Sequence, residues 1–498
     1  MDPLFEIRKE LDRCGSGSIA VVLANQLRRA IADGHLPSGA KLPATRKAQA
    51  AFGISRNTLA DVYERLVAEG HLISRHGSGI YVADIRKPRR LRTPPKTRGR
   101  ISGFELNPFW KQSEAAGEIG FWTDPNDDAS APLEVDFRPG LVDSQLFPYD
   151  IYRRITAKQL RGSEIKFPQV QRPQRNRDSY PLRAAIAAHV AMTRGVTCDP
   201  DRVLVTTGAQ QTFDLLARLL TTHGNTLVTV EDPGYPPMRV PFRAAGALLA
   251  PVGVDREGLK VAEIPEGTKI ICVRPSHQYP LGITMSPRRR AALHAFARKN
   301  AAIIIEDDYD GEFQLDSTPV DTLWNTDTSD YVFYVGTFSK SILPAFRLGF
   351  VIVPDWALDT ITLIKNSTDG PRSIPVEDGV AIFIAEGHLM RHIRKMRTIY
   401  RKRRDLIVDF LERPLAQWLN PLKCSCGMHL AALSTTDISM ESVTRMTRAE
   451  GVAIHTLDRY FLGERTLSGL VFGFGVTNEA GIESGLRTLQ RSLENNLR

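Results

Sequence analysis

Tyr334-Val335-Gly336-Thr337-Phe338-Ser339-Lys340-Ser341, followed seven residues past the lysine by Arg347-Leu348-Gly349-Phe350, reads as a strand that runs into a tight polar turn and presents one lysine. A lysine at its ordinary pKa is protonated and a poor nucleophile, so one used for imine chemistry must be desolvated or set beside other cations. Small hydroxyls at Thr337 and Ser339, with a cation at Arg347, are what a phosphate beside that lysine requires. A phosphorylated aldehyde meets this description.

Working outward, the chemistry needs an acid. Pyridoxal phosphate (PLP) acts as an electron sink only while a carboxylate keeps its ring nitrogen protonated. Upstream stands Ala302-Ile303-Ile304-Ile305-Glu306-Asp307-Asp308-Tyr309-Asp310, a β-branched apolar run ending in acids. A buried parallel strand with carboxylates at its C-terminal end is where an open α/β sheet keeps its ligands. Asp307 is the expected partner of the ring nitrogen and Tyr309 the expected donor to the phenolic oxygen. The plain alternative, a surface lysine and helix-capping acids, loses ground when both motifs occur in this order.

Other strand ends point the same way. Arg202 to Thr207 reads as a strand, Gly208-Ala209-Gln210-Gln211 as a turn and Thr212 to Leu220 as a helix, which leaves the amides of Ala209 and Gln210 free for a phosphate. Leu227-Val228-Thr229-Val230 leads to Tyr235, an aromatic suited to stacking on a planar ring. Ile270 to Val273 leads to Arg274-Pro275-Ser276-His277-Gln278-Tyr279-Pro280-Leu281-Gly282, which brings Tyr279 to the same place. From residue 133 onward strands and helices alternate as in a doubly wound sheet.

At 498 residues the chain calls for two or more domains. A hydrophobic fraction of 42% and a charged fraction of 24% are those of a soluble globular protein. No apolar run approaches the length that spans a bilayer, and Asp2, Glu6 and Glu10 do not suit a signal peptide. The expectation is a cytoplasmic bacterial protein with no membrane partner. Cys14, Cys198, Cys272, Cys424 and Cys426 are too scattered for a disulfide framework. Cys424-Ser425-Cys426 with His429 lacks the second pair of a zinc site, so no metal is expected. The net charge of +9 is concentrated: residues 86–100 hold eight Lys/Arg and no acid. That Pro-punctuated stretch reads as an extended, self-repelling linker, or as an arm along DNA. The basic run Arg391 to Arg404 reads as a solvated helix face.

The N-terminal region has helix-turn-helix grammar. Apolar residues Val22, Ala24, Leu27, Ala30 and Ile31 share a helix face; Thr45 is placed to cap a second helix that Gly53 stops; Ser55 caps a third. His71 to Val82 follows as two short β-prone runs around a Gly-rich turn, a wing held by Gly77 and Gly79. Arg56, Asn57 and Thr58, at the start of the third helix, suit base edges and phosphates, and Arg46 and Arg75 suit flanking phosphates. This yields domains at 1–84 (winged helix-turn-helix), 85–132 (linker) and 133–498 (α/β effector domain).

Gly39-Ala40-Lys41-Leu42-Pro43, Ser55-Arg56-Asn57-Thr58-Leu59, and Glu69-Gly70-His71-Leu72 followed by Arg75-His76-Gly77-Ser78-Gly79 resemble the winged helix of GntR-family regulators. The family more often has two serines before the arginine, where Ala44-Thr45-Arg46 stands here. The later motifs, taken in order, resemble fold-type I aminotransferases. Pro275 to Pro280, Glu306 to Asp310 and Gly427-Met428-His429 are similar to the MocR/GabR subfamily, which joins the two domains. The resemblance implies an imine on Lys340, the ring nitrogen on Asp307, the stack on Tyr235, and phosphate contacts from Ala209, Gln210, Thr337, Ser339 and Arg347. It also implies a head-to-tail, domain-swapped homodimer in which Tyr180 reaches the partner's phosphate. Two positions depart from the enzymes. Tyr309 is two residues after Asp307 where the enzymes have a tyrosine three after, and Gly469 to Phe474 lacks the arginine that reads a substrate carboxylate, Arg459 and Arg465 being out of register.

The expected function is therefore a PLP-dependent regulator of double-stranded promoter DNA that senses an amine, an amino acid or PLP. The alternatives are an active aminotransferase with a DNA-binding appendage, and a regulator whose large domain has lost its cofactor.

Overall fold

The computed structural model describes residues 19–75, 77–84, 107–111, 117–118, 120–122, 132–170, 179–316, 321–369 and 374–496, in two compact units, Met1–Glu105 and Leu106–Arg498. The basic stretch 86–100 lies outside the described residues.

In the smaller unit, helices α1 (Ile19–Ala32), α2 (Thr45–Phe52) and α3 (Arg56–Ala68) pack on a hairpin of β1 (Leu72–Arg75) and β2 (Gly79–Val82). Helical spacing puts Leu23 and Leu27 of α1 and Leu59, Val62 and Leu66 of α3 into one apolar core with Leu42, Ala48 and Val82. Ser55 caps α3 through the Thr58 amide, at 3.2 Å. Gly53 ends α2 at φ +69°, a conformation that costs other residues energy. Thr45 does not cap α2: Ala44 holds the extended cap conformation, φ −56° and ψ 146°, so Thr45 is already the first helical residue, and no side chain caps that end.

In the larger unit two short 3-10 turns, Pro108–Lys111 and Gly120–Trp122, come before β3 (Val135–Asp136), α4 (Tyr149–Val170) and α5 (Tyr180–Arg194). Its main sheet has eight strands: β4 (Val203–Thr206), β5 (Leu227–Asp232), β6 (Leu248–Asp255), β7 (Gly258–Leu259), β8 (Thr268–Val273), β9 (Ile303–Asp307), β10 (Val332–Thr337) and β11 (Gly349–Ile352). Their spatial order is β4-β11-β10-β9-β8-β5-β6-β7. Helices α6 (Ala209–Leu220), α7 (Pro236–Ala244), α8 (Pro287–Asn300), α9 (Leu323–Thr326) and α10 (Asp355–Thr368) fall between or just after these strands. The central strands are buried on both faces, which is why they read as unbroken apolar runs. Ile305 and Val335 belong to one core cluster, and the neighbouring Ile304 and Val332 to another.

The sheet is not purely parallel. Neighbours from β10 through β6 run parallel, but β11 lies antiparallel between β10 and β4. Only residues 338–348 separate β10 from β11, too few for the crossover that a parallel pair needs. The chain then continues through α11 (Ile374–Ala385) and the long α12 (His388–Glu412) to a four-stranded sheet of β12 (Leu419–Pro421), β13 (His429–Ser434), β15 (His455–Thr456) and β16 (Gly469–Gly473). Helix α13 (Met440–Ala449), strand β14 (Val452–Ala453), which pairs with β3, and helix α14 (Glu479–Asn495) complete the unit.

The basic run in α12 is solvated only in part: Arg401 and Lys402 are exposed, but Arg403 and Arg404 are buried. Arg403 is buried, giving hydrogen bonds to the carbonyl of Gly475 at 2.9 Å and to Asp143 at 3.0 Å. Arg404 binds Asp316 and the Cys424 carbonyl, and Arg397 donates to the Glu312 carbonyl at 2.6 Å. These guanidiniums satisfy backbone acceptors in loops that a sequence cannot place beside them. No helix among the described residues is long and apolar enough to cross a membrane.

Candidate functional site

A cavity of about 360 Å³ opens at the carboxyl ends of β4, β5, β8, β9 and β10. Ligands of open α/β sheets occupy this position, because helix N-termini and loop side chains converge there. Of the expected residues, Ala209, Gln210, Tyr235, Tyr279, Asp307, Tyr309, Thr337, Ser339, Lys340 and Arg347 all line it. Tyr180 does not. It begins α5, is 58% exposed, and stacks under the Arg183 guanidinium; the role expected of it concerns a partner subunit.

Lys340 extends from the turn after β10 and donates to the Gly140 carbonyl at 2.5 Å. Burial pulls its ammonium down to about 8, against the opposing pull of Asp310 and Asp307. Beside it, Asp307 ends β9 and is 5% exposed. One of its oxygens accepts from Arg274 at 2.8 Å, while the other is buried with no hydrogen-bond partner. Burial raises the Asp307 carboxyl above its ordinary range, and Arg274 offsets part of that rise. Arg274 also faces Glu231 at 3.7 Å and lies 5.3 Å from the centre of the Tyr235 ring. Burial lifts Glu231 to about 7, with Arg274 opposing.

Another part of the lining has the character of an anion cradle. Helix α6 begins at Ala209, three residues earlier than the sequence suggested, because Gly208 at φ +106° turns the chain by itself. Ala209 and Gln210 therefore sit in the first turn, where amides lack intrahelical partners and the helix dipole is positive. Thr337 and Ser339 hydroxyls lie 3.1 Å apart. Arg347 is exposed at the rim with φ +49°. Gly349 keeps the two halves of the cradle close: a Cβ there would lie 2.9 Å from the Gly208 Cα and 3.1 Å from the Gly336 carbonyl oxygen.

Sequence reasoning gave no role to Arg138, Gly140, Leu141, Arg274 or Met428, which also line the cavity. The Arg138-Pro139-Gly140 turn was open to recognition as a Pro-Gly punctuation, but nothing local ties it to a lysine 200 residues away. Arg459 and Arg465 face a different cavity, together with Arg239 and Asp458. Cys424 and Cys426 give their thiols to backbone carbonyls of His429 and Ser276.

In the smaller unit, Arg46, Ser55, Arg56, Asn57, Arg75, Gly77 and Gly79 are all exposed, and Thr58 is half-buried. The Ser55 and Thr58 hydroxyls meet at 2.8 Å as part of the α3 cap. Gly77 and Gly79 have φ of +73° and +115°, which a tight wing turn requires. Lys41 and Arg75 flank the Tyr81 ring at 5.7 and 4.9 Å, which makes the wing base cationic. The sequence reading gave Lys41 no role.

Residues 20–82 match the bacterial regulatory proteins of the gntR family, and residues 153–457 match aminotransferase class I and II. The chain is 32% identical over 490 residues to the probable rhizopine catabolism regulatory protein MocR of Rhizobium meliloti, covering 96% of this chain and 94% of that one. It is 28% identical over 463 residues to the pyridoxine biosynthesis transcriptional regulator PdxR of Corynebacterium glutamicum, 93% of each chain being covered. Among solved structures, Pyrococcus horikoshii kynurenine aminotransferase, in complex with PMP, superposes with a TM-score of 0.67 at 24% identity over 74% of this chain and 93% of that one.

Proposed function

This chain belongs to the MocR/GabR type of GntR-family transcription regulators, a helix-turn-helix unit joined to an aminotransferase class I and II domain; from that premise we propose that its larger unit binds PLP and senses an amine, an amino acid or PLP itself. The winged helix then carries the response to promoter DNA. One observation supports this above the others: a single cavity gathers a depressed-pKa lysine, a buried carboxylate with one unpartnered oxygen, an aromatic wall and an anion cradle.

The residues fit the cofactor. The unpartnered Asp307 oxygen is the acceptor that a protonated ring nitrogen needs, and leaving it unmatched in a buried site costs energy. Ala209, Gln210, Thr337, Ser339 and Arg347 would hold the phosphate, Tyr235 the ring face, and Tyr279 and Tyr309 its polar edge. When bound, PLP supplies an aldehyde carbon open to amines and a ring that withdraws electrons. The chain itself keeps part of Lys340 as neutral amine, because burial disfavours its charge.

The same lysine offers a switch. A charged Lys340 donates strongly to the Gly140 carbonyl, so a ligand that engages or releases the amine changes how firmly the 138–141 segment is held. A hydrogen bond from a charged donor contributes about 1.5–3 kcal/mol, enough to alter the affinity of a coupled site about tenfold or more. Such a differential contact is what any two-state response requires. Dimeric assembly, head to tail with exchanged domains, would present two winged helices to a two-fold operator.

The test is a visible absorbance spectrum of the PLP-loaded protein during titration with candidate amines, with binding to a promoter duplex followed by fluorescence anisotropy. A visible band that moves together with duplex affinity, and is lost in Lys340→Ala, is the expected result. A band that moves while keto product accumulates and duplex affinity stays constant would make this an aminotransferase and overturn the sensor reading.

A further inference from the structure

Against Tyr309, in the wall of the cavity, stands a buried polar pair, His277 and Asp310, to which the reading above gives no task. His277 Nδ1 stands 3.1 and 3.0 Å from the two oxygens of Asp310 and 3.0 Å from the Tyr309 hydroxyl. His277 and Asp310 are each 2% exposed. Tyr309 leans over the imidazole, its ring 25° from parallel. The chain makes room for this cluster at Gly427, where φ is +81° and a Cβ would fall 2.0 Å from His277 Cε1 and 2.6 Å from an Asp310 oxygen.

One nitrogen close to three oxygens carries at most one hydrogen, which fixes the direction of the others. Asp310 accepts from the Met428 amide at 3.3 Å, and an ionised carboxylate can only accept. Its two contacts to His277 are therefore attractive only if Nδ1 bears the proton. A protonated Nδ1 has no lone pair for the Tyr309 hydroxyl. The phenolic hydrogen must point away from the imidazole, and Tyr309 lines the cavity together with Lys340 and Asp307. Resting on the reading of that cavity as a PLP site, we propose that the Asp310–His277 pair is a positioning device that turns the Tyr309 hydroxyl proton into the cavity, as a fixed donor to the phenolic oxygen of the cofactor.

The surroundings favour this arrangement. Burial opposes charge on His277, but Asp310, with Cys426 and Cys424, more than offsets it and raises the imidazole well above its ordinary range. From β13 and the loop before it, His429 lies 4.5 Å away ring to ring, and Cys424 and Cys426 face the same imidazole. Burial first, and then the His277 charge, keep His429 neutral. Arg274 and Lys340 are the further cations: Arg274 faces Tyr309, as does the Tyr279 hydroxyl, and Asp310 stabilises the charge of Lys340 as well. The His277, Asp310 and His429 ligand atoms also lie within 4.8 Å of one another, as a metal site would require, but the Nδ1 to Asp310 distances are those of a hydrogen-bonded pair.

The test is the pH titration of the visible band of the PLP-loaded full chain for wild type, Tyr309→Phe, His277→Gln, Asp310→Asn, and each of the last two combined with Tyr309→Phe. A donor to the phenolic oxygen favours its anionic form and lowers the midpoint, so Tyr309→Phe raises it by about one pH unit. His277→Gln and Asp310→Asn raise it comparably; in Asp310→Asn the amide can donate to Nδ1, whose proton no longer repels the phenol's. In the Tyr309→Phe background neither change has further effect, a non-additivity that general loosening of the fold would not produce. Equal shifts in both backgrounds, or a midpoint unchanged in both His277→Gln and Asp310→Asn, overturn the positioning role alone. Absence of any visible band in the loaded wild type overturns the site reading, and this inference with it. Should Asp310→Asn not fold, His277→Gln carries the same test.

Discussion

The depressed pKa of Lys340 can be measured without cofactor or effector. An ordinary lysine near 10.5 presents about one neutral amine in a thousand at about pH 7.5; one at about 8 presents roughly a quarter, a gain of about 200-fold. Trace acetylation of the cofactor-free chain across a pH series, with the Lys340 peptide quantified by mass spectrometry, should give a half-maximal rate near pH 8. The midpoint is the informative quantity, since burial slows the absolute rate at any pH. Burial lowers this pKa, while Asp310 and then Asp307 raise it, so Asp307→Asn must move the midpoint further down, by about one unit. A wild-type midpoint above pH 10, or an upward shift in Asp307→Asn, would refute the argument that desolvation prepares this amine.

Other consequences are more local. Gly427→Ala combines a positive φ with a 2.0 Å overlap on His277 and should destabilise the larger unit by about 2–5 kcal/mol in urea unfolding; a loss under 1 kcal/mol would contradict the packing described. Ser55→Ala removes the α3 cap and should cost about 1 kcal/mol, measurable by hydrogen exchange in that helix. Changing Arg46, Arg56 and Arg75 to Ala one at a time should each lower the salt slope of duplex binding by about 1, whereas Asn57→Ala should chiefly relax discrimination at one base pair, by about 1–3 kcal/mol.

The residues legible in the sequence share one physical property. Lys340, Asp307, Tyr235 and Ala209 each stand at or just past the end of a buried strand, and a strand buried on both faces announces itself as an apolar run with chemistry at its end. Strand order was not needed to see that those ends meet. Arg138 and Gly140 escaped notice because their place at the cavity depends on β3 pairing with β14, a contact made more than 300 residues along the chain. Arg403 and Arg404 were misread for the complementary reason: a charge run looks solvated until the carbonyls that absorb it are located. The antiparallel β11 follows from the length of its connection, a clue that the motif Arg347-Leu348-Gly349-Phe350 concealed by drawing attention to its arginine. Thr45 shows how little a cap preference decides when the preceding residue already has the required dihedrals.

The contact of Gly349 with Gly208 sets a dimension. The two turns proposed to hold one phosphate belong to different strands, and they approach this closely because Gly349 carries a hydrogen where other residues carry a Cβ. The spacing is thus machined into main chain and does not drift with side-chain rotamers. Other residues that line the cavity, such as Arg138 and Met428, are assigned no part of the proposed cofactor and can change against a jaw whose opening stays constant. Under the proposed function, a lineage of such chains can change what it responds to without regauging what it grips, and a Gly349→Ala chain would be a shim in that jaw, spoiling the fit for every ligand alike.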